Sequence, residues 1–512
     1  MTESTDLPSV LLKVRALARN EPARPALTFE GTIHTYEQLH ARSNRVANGL
    51  LAAHLPKQSR IALLDLNDVA FAELFLGACK ASHALCPINA RLAPAEIAWI
   101  VNNAQAPIFF VGRDHYALVE QIESQLSART IIALHGEHPR WLSYAQWLKR
   151  SDDRDPQLPF NLDDDIVQLY TSGTTGHPKG VCHTHRTWGH AGAAMRASNP
   201  AWFAADNVNL VCLPLFHVAA MDNLCFTLAG GGHVVLARRP DPKGILELLN
   251  AHSISIMSLV PALIPSVIDA AGANKAPPLK MLAYGASPIS QNVLQRAREF
   301  FACSFEQIYG MTENLGVVTT LPAAMHDPAL GKLRSCGRAH AGCELKIVDE
   351  QGREVATGEV GEIIMRAPWI MRCYWNNPQA TANAVRDGWL WTGDAGYFDA
   401  DGFLYIHDRV NDMIKSGGEN VYPAEVENAL YDYPAVAEAA VIGAPDARWG
   451  EIVKAVLVLK PGTALDPADI ERHLRARIGA YKIPKSYEVV DALPRNASGK
   501  VLRRQLRERF SK

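Results

Sequence analysis

The sequence predicts an α/β protein, and three observations carry that reading. From residue 60 to 135, and again from 208 to 310, short apolar strand-like runs alternate with helix-like segments, the pattern of parallel βαβ units. After residue 335 the texture changes to short strands separated by Gln351-Gly352, Thr357-Gly358, Asp387-Gly388 and Asp401-Gly402, turn signals of a mostly antiparallel region. Beyond residue 409 a compact α+β segment follows. At 512 residues the chain is too long for one core, and its length predicts about three domains.

The elements follow in order. Residues 7–55 read as two helices around a short hairpin at 26–32, and Thr35 with Gln38 makes a capping box at the start of the second helix. Residues 60–64 form a strand, 69–81 a helix, and 107–111 and 130–134 further strands. The stretch 152–164 is acidic and contains prolines, which predicts an exposed approach to the segment after it. The runs 210–213, 234–236, 255–257 and 281–284 are short and unalternated, as strands buried on both faces are. In the last segment, 439–442 and 455–459 are the strand runs.

Bulk composition excludes several classes. Hydrophobic residues at 48% with 20% charged are ordinary for a globular protein, and a net charge of −2 leaves no basic footprint for nucleic acid. The nine cysteines are scattered without a CxxC pair, so they read as small apolar residues in a reducing compartment. The start, Met1 to Asp6, has neither a basic nor an apolar leader region, and no apolar run is long enough for a membrane span. A cytoplasmic enzyme is the expectation.

The most informative stretch is Tyr170-Thr171-Ser172-Gly173-Thr174-Thr175-Gly176-His177-Pro178-Lys179-Gly180, directly after a strand-like run. Its glycines let backbone N–H groups converge into an anion nest. The hydroxyls add neutral donors, and Lys179 adds one mobile charge. That inventory fits a triphosphate, although the Walker pattern GxxxxGK[ST] is absent. A solvated linker has a similar composition but would not usually end in Pro-Lys-Gly. Four further clusters carry phosphate, ribose or metal chemistry, and each has a plain reading of its own. Tyr309-Gly310-Met311-Thr312-Glu313 taken alone is a helix N-cap, and Trp391-Thr392-Gly393-Asp394 a turn. Residues 408–420 taken alone are a charged, glycine-rich linker, and the lysine that ends 494–500 a surface lysine.

Together, in this order and at these separations, the five motifs resemble the adenylate-forming superfamily of acyl-CoA synthetases, carrier-protein-linked adenylation domains and beetle luciferases. Residues 87–92 fit the pattern too. The resemblance covers nearly the whole chain and is strongest to bacterial fatty-acyl- or aryl-CoA ligases. It implies a large N-terminal domain, 1–409, made of two stacked α/β sheet subdomains plus a distorted β-barrel. It also implies a small mobile α+β C-terminal lid, 410–512, hinged near Asn411. The common hinge residue is Asp or Lys; here the matching residue is Asn, which tolerates unusual backbone dihedrals.

Two half-reactions are implied. A carboxylate attacks the α-phosphate of Mg-ATP to give acyl-AMP and pyrophosphate, and a thiol, usually that of coenzyme A, then displaces AMP. By resemblance Thr171, Ser172, Gly173, Thr174, Thr175, Gly176 and Lys179 would hold the β- and γ-phosphates. Thr312 would touch the α-phosphate and Glu313 would bind Mg²⁺. Gly285, Ala286 and Ser287 with Glu306, Gln307, Ile308, Tyr309 and Gly310 would line the adenine, Tyr309 as a stacking ring. Asp394 and Arg409 would take the ribose hydroxyls, and Lys500 would bridge the substrate carboxylate and the α-phosphate. A lysine at about 4 Å supplies roughly 4 kcal/mol at an effective dielectric near 20. After rotation Lys415, Gly417, Gly418 and Asn420 would approach the site and admit the pantetheine arm.

His217 matches a position that gates the carboxylate in relatives, and Val218, Ala219, Ala220, Val260, Ala286, Leu315 and Gly316 would be the walls of the acyl pocket. Small apolar walls without a basic residue imply a bulky hydrophobic monocarboxylate: medium- or long-chain fatty, aryl-alkanoic or alicyclic. Loading of a carrier protein is one rival, although no carrier domain precedes Lys512; a luciferase-type oxygenase is another. A non-catalytic nucleotide binder would be expected to lack Lys500 or Glu313. Pro494 and Gly499-Lys500 match the PxxxxGK spacing that protein acetyltransferases recognise in such enzymes, so an acetyltransferase acting on Lys500 is an implied partner. Neither nucleic acid nor membrane is expected, and a homodimer is an allowed state.

Overall fold

The structure is a computed structural model describing residues 9–159, 161–171, 178–287, 289, 291–409, 412–416, 419–446, 449–475, 477–495 and 501–510; of 408, 409, 415, 419 and 420 only the backbone is described. Among the described residues the strands assemble into four sheets. The first alternating stretch builds an eight-stranded sheet. Arg60–Leu64 pairs in parallel with Ala84–Pro87 on one side and Ile108–Val111 on the other, and Thr130–Ala133 continues the series. The second builds a nine-stranded sheet in which Val208–Val211, Ile256–Leu259, Met281–Gly285 and Ser304–Tyr309 run parallel.

These strands are unalternated because both faces are buried. Ile61 and Leu63 face one core while Ala62 and Leu64 face another with Ile97 and Phe109. The first core also takes Phe71 and Phe75 from helix Val69–Lys80, Leu224 and Leu228 from helix Val218–Gly230, and Val211 and Ala283 from the nine-stranded sheet. The two sheets therefore stack on a common helical layer. Each fully buried Leu or Phe there contributes roughly 1.5–3 kcal/mol. The capping box forms as expected: Gln38 N–H donates to Thr35 Oγ1 at 3.2 Å and Thr35 N–H to Gln38 Oε1 at 2.9 Å.

The acidic stretch is mostly solvent-facing but strapped to the first two helices. Arg15 donates to both oxygens of Asp155 at 2.6 and 2.8 Å, and Arg45 to Asp153 at 2.6 Å. The antiparallel region is a five-stranded sheet built on Glu344–Val348, Gly361–Arg366, Trp389–Phe398 and Leu404–Arg409. Its glycine turns take the left-handed backbone their sequence requires, with φ of 78° at Gly352 and 77° at Gly402.

From Ile414 onward the chain builds cores of its own. Strand Val436–Asp446 pairs with Gly450–Leu459. Val441 and Leu457 face Val426, Leu430 and Leu474, while Ile442 and Val456 face Leu493 and Leu506. All nine cysteines are free, six of them buried. No described helix is long and apolar enough to cross a membrane.

Candidate active site

The glycine-rich stretch expected to hold phosphate is flanked by two paired strands. Strands Asp165–Thr171 and Lys179–Thr184 run antiparallel, and Thr171 faces Lys179 across the ladder. Ser172, Gly173, Thr174, Thr175 and Gly176 lie outside the described residues. This strand pair is anchored by charge. Arg60, 2% exposed, pairs with Asp165, and Arg372 grips the same carboxylate with two bonds of 2.8 and 2.6 Å. The Arg60 guanidinium also sits 3.6 Å from the ring centre of Trp375.

A two-residue strand, Cys373–Tyr374, clips the hairpin to the next motif. It pairs with Val181 and Cys182, and its flanks add bonds from Arg372 N–H to the Cys182 carbonyl and from Trp375 N–H to the Gly180 carbonyl. Tyr374 then does two things. Its hydroxyl donates to Glu313 Oε1 at 2.7 Å, and its ring lies 5.0 Å from Lys179 Nζ. Met371 N–H donates to the Glu313 carbonyl at 2.7 Å, and His183 Nε2–H to the Thr312 carbonyl at 2.7 Å. Burial pushes His183 down to about 4, so the ring is neutral at pH 7. Lys179, Thr312 and Glu313, separated by over 130 residues, are thereby brought together.

The Thr312–Asn314 turn is shaped by its neighbours. Leu315 and Gly316 both take left-handed backbone, φ 56° and 66°, and Gly316 N–H returns to the Met311 carbonyl at 2.9 Å. A Cβ on Gly310 would sit 2.2 Å from the Gly316 backbone, so the turn closes backbone against backbone. Any side chain at residue 310 would force it open.

The residues expected at the adenine gather at the carboxyl ends of parallel strands, where open α/β sheets bind ligands. Gly285 faces Ile308 in register, which places Ala286 and Ser287 beside the end of Ser304–Tyr309. Alternation splits that strand. Tyr309 donates its hydroxyl to Asp394 Oδ2 at 2.7 Å, whereas Glu306 accepts from Trp202 Nε1 at 3.1 Å in the interior and Gln307 reaches Cys336. The Glu306 side chain is thus committed to packing. Asp394 faces Arg409 across the Trp389–Phe398 and Leu404–Arg409 ladder, so the sheet register pairs the two residues expected at the ribose.

On the acyl side, His217 caps helix Val218–Gly230. Burial first, then the charge of Arg91, holds it at about 4, and Nε2 has no hydrogen-bond partner among the described residues. Val218, Gly316 and Val260 are half-buried and Ala219 is exposed; Ala220 and Leu315 are fully buried and back the wall from the shared core. In the C-terminal region, Lys415 and Asn420 face each other in the hairpin Ile414–Ser416/Glu419–Val421. Asn411, Gly417, Gly418 and Lys500 lie outside the described residues.

Sequence reading missed Tyr374, His183 and the Arg60–Asp165–Arg372 network, which carry no local motif. It also missed Asp222, whose signal was there: one acid in an otherwise uncharged helix.

Fold and site define an adenylate-forming enzyme. Residues 14–375 match the AMP-binding enzyme family and 425–500 the AMP-binding enzyme C-terminal domain. The chain belongs to the AMP-binding enzyme family. It is 38% identical to the fatty acid–[acyl-carrier-protein] ligase ScoC of Streptomyces coeruleorubidus, over 96% of this chain and 95% of that one. It is 36% identical to a feruloyl-CoA synthase of an Amycolatopsis species, over 96% and 97%. Among solved structures it resembles the o-succinylbenzoate coenzyme A synthetase MenE of Bacillus subtilis in complex with ATP and magnesium ion. That match has a TM-score of 0.85 and 30% identity, over 97% of this chain and 99% of that one.

Proposed function

We propose that the protein is an AMP-forming carboxylic acid:coenzyme A ligase for a hydrophobic monocarboxylic acid. The observation that carries this reading is the convergence of Lys179, the Thr312–Glu313 turn and the Tyr309–Asp394 pair, supported from behind by Tyr374 and His183. In the first half-reaction a substrate carboxylate oxygen bonds to the α-phosphorus and the bond to pyrophosphate breaks. Lys179 and residues 171–176 take the charge of the β- and γ-phosphates, Thr312 takes the α-phosphate, and Asp394 with Arg409 positions the ribose. Glu313, buried and already oriented by Tyr374, fits a magnesium ion, which uses one or two carboxylates beside substrate phosphates and neutralises their charge. His217, kept neutral by burial, gates the carboxylate without trapping it in an ion pair. Lys500 stabilises the charge gathered between carboxylate and phosphate.

In the second half-reaction the thiol of coenzyme A bonds to the acyl carbon and AMP leaves. The lid, 410–512, turns at Asn411, withdraws Lys500 and brings Lys415, Gly417, Gly418 and Asn420 to the pantetheine path. Acetylation of Lys500 removes its charge and switches off the first step. A carrier-protein thiol is the second reading of the acceptor, favoured by the 38% identity to ScoC. The test is pyrophosphate release over a panel of acids, followed by thioester formation with coenzyme A or a phosphopantetheinylated carrier protein. Release with hydrophobic acids and transfer to coenzyme A is expected. Silence with every acid would sink the reading, and transfer to the carrier alone would replace the acceptor.

A further inference from the structure

Helix Val218–Gly230 carries a single charged residue, Asp222. It is 7% exposed, its Oδ1 has no hydrogen-bond partner among the described residues, and burial alone raises its carboxyl well above the usual carboxylate range. A buried polar atom without a partner is costly, roughly 1–3 kcal/mol, and an ionised one far more. No hydrogen bond from a described residue offsets that cost at Oδ1. The carboxyl is not lost in the core either. Asp222 is one turn after Val218, on the same helix face. A Cβ on Gly316 would stand 3.6 Å from Asp222 Oδ2 and 3.9 Å from Val218 Cγ1, so both side chains face Gly316. Gly316 belongs to the turn that follows Glu313, so they meet it between that turn and the start of the helix that His217 caps.

We propose that Asp222 is a specificity-determining residue, and that the preferred acid carries a hydroxyl or carbonyl oxygen on its tail which accepts a hydrogen bond from the Asp222 carboxyl. This rests on the ligase reading above and names the substrate class within it. The neutral carboxyl has one O–H to give and needs an acceptor. Five residues of helix, from His217 to Asp222, span about 7.5 Å. The oxygen therefore sits about five to seven atoms from the carboxyl carbon that His217 meets. A tail that is purely hydrocarbon leaves Asp222 desolvated and unpaired, which is how a site built to hydrogen-bond its substrate rejects the analogue that cannot.

The test uses the full-length enzyme and matched acids. One pair is 3-phenylpropanoate and 3-(4-hydroxyphenyl)propanoate; the other is octanoate and 5-hydroxyoctanoate. Pyrophosphate release gives kcat/KM for each acid in the wild type, Asp222→Asn and Asp222→Leu. The wild type is expected to favour the oxygenated member of at least one pair by about ten- to a hundredfold. Asp222→Asn, which keeps a donor, retains part of that preference, and Asp222→Leu abolishes it while improving the plain acid. Binding of the corresponding acyl-sulfamoyl-adenosines to the wild type, by calorimetry, gives the same comparison should the variants fail to fold. Equal use of both members by the wild type would overturn the proposal, as would an unchanged preference in Asp222→Leu. A preference for an ammonium-bearing tail would also overturn it, because that ligand would ionise Asp222. Absence of pyrophosphate release with every acid overturns the ligase reading instead, and takes this proposal with it.

Discussion

On the nucleotide side, Tyr309 donates to Asp394, Tyr374 to Glu313 and His183 to the Thr312 carbonyl. On the acyl side, His217 Nε2 and Asp222 Oδ1 have no partner among the described residues. Both regions bury polar atoms, but one satisfies them within the protein and the other, on the proposed assignment, leaves them for a ligand. The difference teaches how one enzyme can bind a constant partner and a variable one. Groups proposed to meet ATP are fixed in advance by protein hydrogen bonds, so little reorganisation is needed at the moment of reaction. Groups that meet the acid carry an unmet hydrogen-bonding demand, which the right acid relieves.

The largest effect expected from breaking the nucleotide side comes from its one proposed contribution from the C-terminal segment. Lys500→Ala should slow pyrophosphate release by about 10²–10³ or more, yet leave thioester formation from supplied acyl-AMP within several-fold of wild type. Asn411→Pro should show the reverse, forming acyl-AMP and stalling before the thioester, because a fixed φ resists rotation. Equal damage to both steps by Lys500→Ala would contradict the two-state assignment.

Next is the anchor below the phosphate hairpin. Asp165→Ala leaves Arg60 buried without its carboxylate, and should cost about 3–5 kcal/mol in urea unfolding. A loss below 1 kcal/mol would mean that water reaches Arg60 and the hairpin is held by packing instead.

How much of this could be read beforehand follows from the same residues. Strands such as 60–64 were legible because burial on both faces leaves an unbroken apolar run, and the Thr35 cap because its partner is three residues away. The phosphate, Thr-Glu and Asp394 motifs were legible as compositions. What joins them was not. The strand Cys373–Tyr374 is too short to carry a period, and it pairs with residues about 190 positions earlier. The hairpin at 25–35 likewise joins the nine-stranded sheet through His233–Leu236. Pairing at such separations is decided by the packed helical layer, which no local window contains. Glu306 shows the limit within a motif: strand alternation turned its side chain to Trp202, away from the hydroxyl of Tyr309 three residues on.

A smaller effect isolates one prearranged bond. Tyr309→Phe removes the hydroxyl that holds Asp394 and should raise the KM for ATP about tenfold while leaving the KM for the acid unchanged. A shift in both would show that the two sides are mechanically coupled.

The smallest effect is a slope. His183 and His217 are both held at about 4 by burial, against an ordinary value of 6.5. Because the unfolded chain takes up these protons first, their stabilising contribution is complete above pH 6.5 and is lost as pH falls toward about 4. Urea unfolding free energies should therefore fall steadily between about pH 7 and pH 5.5. His217→Asn should reduce that fall by about 1 kcal/mol, and an unchanged slope would mean that His217 titrates as an exposed ring.

The contact between Gly310 and Gly316 has a consequence for how such a protein diversifies. Because this joint is made of main chain, no exchange of side chains can retune it, and drift there is closed off. The helix that begins after His217 is the opposite case. Val218 and Asp222 stand on one face of it, so on the proposed assignment single replacements there would change what the pocket admits while the nucleotide hardware is inherited intact. A lineage built this way can explore new carbon skeletons one codon at a time without surrendering its energy source.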